Sequence, residues 1–400
     1  MPHFENSDPL LARILGRSRS LFAADVERHA QALREAIAGS RILVVGAGGS
    51  IGGAFVRQLA NYKPRCLHLV DINENTLVEV VRELRSSSLV LPDDFRSLSV
   101  DFGAVEFDRF VRAFGPYDTF INFSALKHVR SERDVYSLMR MIDTNVRSLH
   151  AWLGSDAGAS LTRAFSVSTD KSVRPVNLMG ATKNLMEQAL FAHGERAVCT
   201  SARFANVAFS AGSLLEGFEH RLSKGQAIAA PSDVKRYFIS HEEAGQLCLL
   251  ACFLGSTREV FFPKMTPEED LMSLADIAVS FLRHNGLEPL VCESEDQART
   301  MKAVPPGRWP CWFAPSDTTG EKAYEEFCRE GDTVDTARFD QIAVSREALP
   351  DRTVMDRFLA EIARLRAQPV WSKVEVVAAI RAAVPELHHV ELERSLDQKM

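Results

Sequence analysis

Between residues 41 and 208 the chain repeats one pattern: a short apolar run, a polar or glycine-containing turn, then apolar residues three and four apart. The apolar runs Arg41–Val45 (RILVV), Cys66–Val70, residues 96–100, Asp118–Phe123 (DTFINF), Arg163–Ser168 (RAFSVS) and Val198–Phe204 predict six strands. Helical spacing predicts helices at about 50–61, 74–86 and 104–114, and a long one at 134–153. Successive βα units of this length join parallel neighbours by right-handed crossovers. The fold class is therefore α/β, a doubly wound parallel sheet with helices on both faces.

The flanks read differently. Residues 7–38 predict helix, ending before Gly39, and form an appendage that packs on the body or on a partner subunit. Its charges are mixed rather than basic, which disfavours a membrane-surface helix. After residue 208 come a helix at 212–224, strands near 227–230 and 236–240, and a helix at 241–253. Residues 262–350 mix short elements with loops rich in proline, aspartate and glycine, and 351–366 and 372–383 read as terminal helices. The expected division is a helical appendage (1–40), a dinucleotide-binding domain (41–208, with a return segment near 236–261), a smaller mixed lobe holding substrate (209–350) and a helical extension (351–400).

Composition narrows the class. The 400 residues are 46% hydrophobic and 25% charged, with a net charge of −6, which suits a globular protein and leaves no basic footprint for nucleic acid. No apolar run approaches the roughly 18–20 residues that span a bilayer, and the N-terminus lacks the layout of a secretory signal. Seven scattered cysteines form no CxxC pair. Cys248 and Cys252 share a helical face, but two thiols do not complete a zinc site, so no metal is expected. Reduced, buried thiols fit the cytoplasm.

The segment Gly46-Ala47-Gly48-Gly49-Ser50-Ile51-Gly52 follows the first strand and opens a helix. Gly46 permits the tight turn, Gly49 lets backbone approach a pyrophosphate, and Gly52 lets helix and strand pack closely. Ser50 and Ile51 begin the helix, whose free N–H groups and partial positive charge favour phosphate. Asp71 ends the second strand 19 residues beyond Gly52, where an acid grips the adenosine ribose. A carboxylate there repels a 2′-phosphate, so NAD is favoured while NADP stays possible. Asp101, after the third strand, is placed to receive the adenine amino group or to stand as a solvated loop acid.

The fifth strand ends at Ser168-Thr169-Asp170-Lys171, so three polar side chains emerge together where open α/β sheets bind ligands. Met179 and Lys183 follow at i and i+4 on one helical face. In nicotinamide enzymes of this form a tyrosine stands where Met179 is, and a thioether carries no proton. A conventional Tyr-xxx-Lys pair occurs nowhere: four residues after Tyr62, Tyr117, Tyr136, Tyr237 and Tyr324 come Cys66, Ile121, Arg140, His241 and Cys328.

The segment STDKSVRPVNLMGATKN resembles the active-site segment of the nucleotide-sugar 4,6-dehydratases of polysaccharide biosynthesis and flagellin glycosylation. These belong to the extended short-chain dehydrogenase/reductase superfamily with its Rossmann fold, and the membrane-anchored branch likewise carries methionine for tyrosine. GAGGSIG, SALKHV (124–129), TNV (144–146), RFANVAFSAGS (203–213), KRYFIS (235–240) and GEKAYEEF (320–327) agree with it. The resemblance implies oxidation at C4 of a nucleotide-activated hexose by bound NAD, with UDP-N-acetylglucosamine the expected substrate. Lys171 then removes the C5 proton, Asp170 protonates the departing C6 hydroxyl, and the hydride returns to C6. Thr169 bonds the C4 oxygen and Lys183 holds the nicotinamide ribose. A water held by Thr169 and Lys183 is the expected route for the C4 hydroxyl proton. Ala125 joins the cofactor residues. Lys127 and His128 line the same crevice, or His128 packs behind it as a supporting group, Asn206 anchors substrate or backbone, and Arg236 clamps the diphosphate or forms a surface ion pair. Arg203 is expected at strand-edge carbonyls, and Leu138–Met141 in a helix core. A homo-oligomer assembled through helices flanking the active site is also implied.

Three departures stand out. The membrane-spanning half of the long branch is lacking, so a soluble form is expected. Thr318-Thr319 replace the arginine-proline before GEK. RSERDVYSLMRM replaces a proline-containing stretch after KHV. Two competing readings keep the nucleotide fold: an epimerase with tightly bound NAD, and a non-catalytic dinucleotide-binding regulator.

Overall fold

The computed structural model describes residues 9–204, 206–301, 303–315 and 326–389. Strands form at the six apolar runs: β1 (Arg41–Val45), β2 (Cys66–Asp71), β3 (Asp94–Ser99), β4 (Thr119–Asn122), β5 (Arg163–Val167) and β6 (Val198–Ala202). They pair in parallel in the order β3-β2-β1-β4-β5-β6. Glu259–Pro263 continues the sheet in parallel beside β6, and Ile342–Arg346 and Val334–Asp335 finish that edge antiparallel. Strand order reverses between β1 and β4, so their carboxyl ends diverge and open a crevice.

Helices cover both faces, which is why β4 is buried throughout and β1 nearly so. On one face the helices Ser50–Ala60 and His241–Leu254 meet backbone to backbone. A Cβ on Gly245 would lie 2.9 Å from the Ala54 carbonyl carbon. The smaller lobe holds a three-stranded parallel sheet (Glu288–Val291, Arg308–Ala314, Ile228–Pro231) with the helices Leu214–Ser223 and Leu274–His284.

Local pattern misjudged three places. The helix expected over 7–38 is three helices, Pro9–Leu15, Ala23–Arg28 and Ala30–Ile37. Gly16, at φ +68°, ends the first of them. That first helix buries Leu10 and Ile14 against Phe218 and Phe281 of the smaller lobe, while Phe22, Val26 and Leu33 join the core of the large sheet. The helix expected at 134–153 is interrupted by a π turn, Asp143–Arg147, between Val135–Ile142 and Ser148–Gly154. The strand expected at 236–240 is two short ones, Lys235–Arg236 and Phe238–Ile239, paired with Met272–Ser273 and Asn206–Val207.

The terminal helices Arg352–Arg366 and Lys373–Ala383 pack as a hairpin over the helix pair 135–154 and Leu178–Phe191. All seven cysteines are free, six of them buried. Among the described residues no helix is long and apolar enough to cross a membrane.

The N-terminal segment is tied to the far edge of the sheet by Asp25, which is fully buried and accepts from the backbone N–H groups of Asp340 (2.6 Å) and Gln341 (2.9 Å). Asp25→Ala would strand both donors, so it should cost about 1–3 kcal/mol. Urea denaturation checks this: the midpoint should fall while the slope stays unchanged.

Candidate active site

The crevice begins with the glycine turn. Gly46 takes φ +73°, and a Cβ there would strike the backbone of Phe123 and Ser124 at 2.5 Å. A Cβ on Gly52 would lie 2.1 Å from the Gly46 carbonyl oxygen, so both glycines are sterically required. Gly49 caps the following helix without a side-chain bond, leaving the N–H groups of the first turn, from Ser50 and Ile51 onward, for an anion. An open groove beside the turn is lined by Gly48, Gly49, Ser50, Asn75 and Thr76. Asp71 is held in register by accepting from Gly48 N–H and Asn73 N–H, each at 2.8 Å. The Ser50 hydroxyl accepts from Ala211 N–H (3.0 Å), joining this helix to the start of the smaller lobe.

The second half lies after β5. Thr169 donates to Asp170 Oδ1 (2.5 Å), and Lys171 Nζ donates to both Asp170 oxygens (3.2 and 3.1 Å). The Asp170 side chain is only 3% exposed and that of Lys171 33%, so the carboxylate is shielded while the ammonium reaches the opening. Gly180 packs against this turn: a Cβ would lie 2.2 Å from the Lys171 carbonyl oxygen. The helix Leu178–Phe191 carries Met179 and Lys183, both buried. Lys183 Nζ donates to the Val167 carbonyl at the end of β5 (3.1 Å). Burial draws the Lys183 ammonium down to about 8, against the opposing pull of Glu187.

Residues named from the sequence only as motif letters, or not at all, hold this cluster. Asn145, in the π turn, accepts from Leu126 N–H (2.9 Å) and donates to the Leu126 carbonyl (3.0 Å) and to the Thr182 hydroxyl (2.9 Å). It fixes the SALKHV loop against the Met179 helix, and a π turn is a frequent mark of a functional site. Glu132, buried, accepts from Met179 N–H (2.7 Å) at that helix's positive end. Glu187 lies four residues past Lys183. Arg203 grips its two oxygens at 2.8 and 2.5 Å. Burial pushes the Glu187 carboxyl up, but Arg203 pulls it further down, below its ordinary value. The KNLME spacing was the available signal for Glu187, and TNV for Asn145.

The remaining candidates are more loosely placed. Ala125 is half-buried next to the pinned Leu126, and Lys127 and His128 are exposed, with the His128 ring close over Gly212. Asp101 accepts from Gly103 N–H (2.9 Å) and pairs with Arg140 (2.6 Å). Burial raises the Asp101 carboxyl, while the Gly103 N–H and Arg140 together hold it below the ordinary range. Its contacts are those of a turn cap on a partly exposed ion pair. Asn206 donates to the Tyr237 carbonyl (3.3 Å) and Arg236 to the Lys235 carbonyl (2.8 Å). Leu138, Met139 and Met141 are core, as expected. Arg203 does reach a backbone carbonyl, that of Phe327 (3.0 Å), but its main partners are carboxylates. Thr318, Thr319 and most of GEKAYEEF lie outside the described residues.

One other cluster brings metal-binding atom types together among the described residues: Cys66, His68 and Asp94. It stands at the amino ends of β2 and β3, away from the crevice. His68 uses both ring nitrogens, on Tyr117 and Asp94, and Arg41 and Arg96 pair with the carboxylate, so two cations already serve it.

Sheet order, glycine turn and the polar cluster after β5 define a doubly wound α/β protein with a Rossmann-like sheet. Within that class the chain belongs to the polysaccharide biosynthesis protein family, whose model matches residues 42–347. It is 28% identical over 255 residues to a UDP-N-acetylglucosamine 4,6-dehydratase (inverting) of Campylobacter jejuni, covering 62% of this chain and 73% of that protein. It is 25% identical over 378 residues to the probable polysaccharide biosynthesis protein EpsC of Bacillus subtilis, covering 91% of this chain and 58% of that longer protein. An uncharacterized membrane protein of Methanocaldococcus jannaschii is 33% identical over 248 residues, covering 60% of this chain and 71% of that one. Among solved structures, Pen from Bacillus thuringiensis superposes with a TM-score of 0.62 at 20% identity, over 78% of this chain and 88% of that chain. The resemblance read from the motifs thus holds at the level of family and fold.

Two alanines should separate the halves of the site. Gly52→Ala should weaken dinucleotide binding by about a hundredfold or more, because the methyl displaces the turn by the order of an ångström. Gly180→Ala should keep dinucleotide binding and lose turnover, because its methyl displaces the Lys171 backbone instead. Calorimetric titration and turnover assays on both variants check this.

Proposed function

We propose that the chain dehydrates a nucleotide-activated hexose, with UDP-N-acetylglucosamine the first candidate, to the 4-keto-6-deoxy sugar. The observation that carries this reading is the ion pair of the shielded Asp170 with Lys171 beside Thr169, on a turn packed against Gly180 of the helix that carries Met179 and Lys183. The names of the Campylobacter relatives support the substrate class.

The glycine turn and the held Asp71 fit NAD: two glycines whose Cβ would collide, N–H groups left for phosphate, and a carboxylate where a 2′-phosphate would be repelled. When bound, the nicotinamide supplies a hydride acceptor for C4 and the donor that returns it to C6. Lys183 orients the ribose. Thr169 holds the C4 oxygen and, with Lys183, the water that takes the hydroxyl proton in the absence of a phenol.

Elimination needs a base at C5 and an acid at C6. As an ion pair, Asp170 and Lys171 have the opposite protonation, but one proton shift from Nζ to the carboxylate, across 3.1 Å, yields both reactive forms at once. The pair is neutral overall before and after, so the shift adds no net charge to a crevice that disfavours charge. A C4 epimerase needs neither group, which favours dehydration over the epimerase reading.

The test is incubation of UDP-sugars in deuterium oxide with NMR of the products. A 4-keto-6-deoxy sugar bearing deuterium at C5 is expected. A stereoisomer that keeps its C6 hydroxyl would instead establish epimerisation, and cofactor binding without turnover of any sugar would leave a regulator. Thr169→Val should abolish hydride transfer, read as cofactor absorbance at 340 nm, while dinucleotide binding persists; full activity would exclude the held water. Because Lys183 loses its proton near 8, the ammonium fraction falls above that pH. The profile of kcat/KM should therefore turn down near pH 8 rather than above 10.

A further inference from the structure

The 169–172 turn is gripped from behind by charged groups that have no part in the proposed chemistry. The buried Ser172 hydroxyl lies 2.7 Å from the Thr169 carbonyl and 3.0 Å from Glu187 Oε1, closing the turn onto the Lys183 helix. Arg203, fully buried, holds Glu187 on one side and lies 2.9 Å from Glu347 on the other. Arg329 carries the alternation outward, bridging Glu347 (2.9 Å) and Glu386 (3.2 Å). Two residues beyond Glu386 the chain comes back: His388 N–H donates to the Pro175 carbonyl (3.0 Å), on the segment that leaves the turn. Between these two holds Arg174 adopts φ +44°, a conformation that costs a residue with a Cβ about 1–2 kcal/mol. Its guanidinium faces Glu326 (3.8 Å) and Glu330 (3.9 Å).

A buried ion-pair array is a poor source of stability, since desolvation offsets the attraction and apolar residues would serve as well. What it supplies is direction, and a left-handed arginine persists only where its surroundings over-determine it. We infer that residues 326–388 belong to the active-site apparatus: with Glu187 and Arg203 they clamp the 172–175 segment, making Ser172, Arg203 and Arg329 positioning residues for Thr169, Asp170 and Lys171. The terminal hairpin, seated on the Lys183 helix through Phe358, Ile362 and Ile380, anchors the outer jaw. This rests on the reading above for which groups react. The clamp itself does not depend on which sugar they act on.

Ser172→Ala removes the inner link and leaves Glu187 bonded to Arg203; Arg329→Met removes the outer one. A misplacement of about 1 Å costs on the order of a hundredfold in rate. Ser172→Ala should therefore lower kcat on UDP-N-acetylglucosamine by about 10–100-fold, and Arg329→Met by less, with KM and dinucleotide affinity within about twofold of wild type. Hydrogen exchange of the dinucleotide-loaded protein supplies a readout independent of substrate. Peptides spanning 168–177 should exchange about tenfold faster or more in both variants, while those spanning 41–52 stay unchanged. Unchanged exchange over 168–177 overturns the clamp whatever the activity, and faster exchange with unaltered kcat overturns the positioning role. If exchange rises but wild type turns over no nucleotide sugar, the clamp stands and the dehydratase reading falls.

Discussion

The Arg203 guanidinium has no solvent exposure and sits between the carboxylates of Glu187 and Glu347. Through Ser172 and Glu187 it ties the turn after β5 to the C-terminal edge of the sheet. Glu187 stands on the helix that carries Met179 and Lys183, and Glu347 follows the antiparallel strand Ile342–Arg346. Loss of Arg203 would leave the Glu187 carboxylate buried without its cation, at about 3–5 kcal/mol for such a pair. The interaction therefore makes the parallel-sheet half and the C-terminal third one structural unit.

Around that pair the site assembles at the ends of three strands. The reversal between β1 and β4 opens the crevice, the glycine turn forms one wall, and the turn after β5 forms the other. Asn145 joins the loop after β4 to the helix that follows the β5 turn. Its π turn places one side chain where it meets Leu126 on the β4 loop and Thr182 on the next helix. One residue of the irregular turn thus serves both elements.

The Asp170–Lys171 couple suits such a place. Each group alone would be costly in a shielded crevice, and together they are neutral whichever one holds the proton. Lys183 differs: it is a buried cation with a backbone carbonyl as its direct partner and Glu187 a turn away, so its proton is held weakly for an amine. A phenol at position 179 would depend on that neighbouring charge. A methionine does not, which is why the proposed reaction assigns proton handling to the turn after β5.

Features that act over a few residues were legible in the chain itself. Gly46, Gly49 and Gly52 with Asp71, the run Thr169-Asp170-Lys171, and Met179 four residues before Lys183 each declare their geometry through spacing, because strand and helix periods fix where neighbours point. Parallel βα order follows from the same periods. What depended on distant segments was not legible: Asp25 with the backbone of residue 340, 315 positions away; Arg203 with Phe327, 124 away; the break of the first helix at Gly16 between two cores. Hydrophobic period says which face is buried but not what covers it. Only the folded chain decided that a C-terminal hairpin covers the Lys183 helix, because that choice depends on packing surfaces far apart in the sequence.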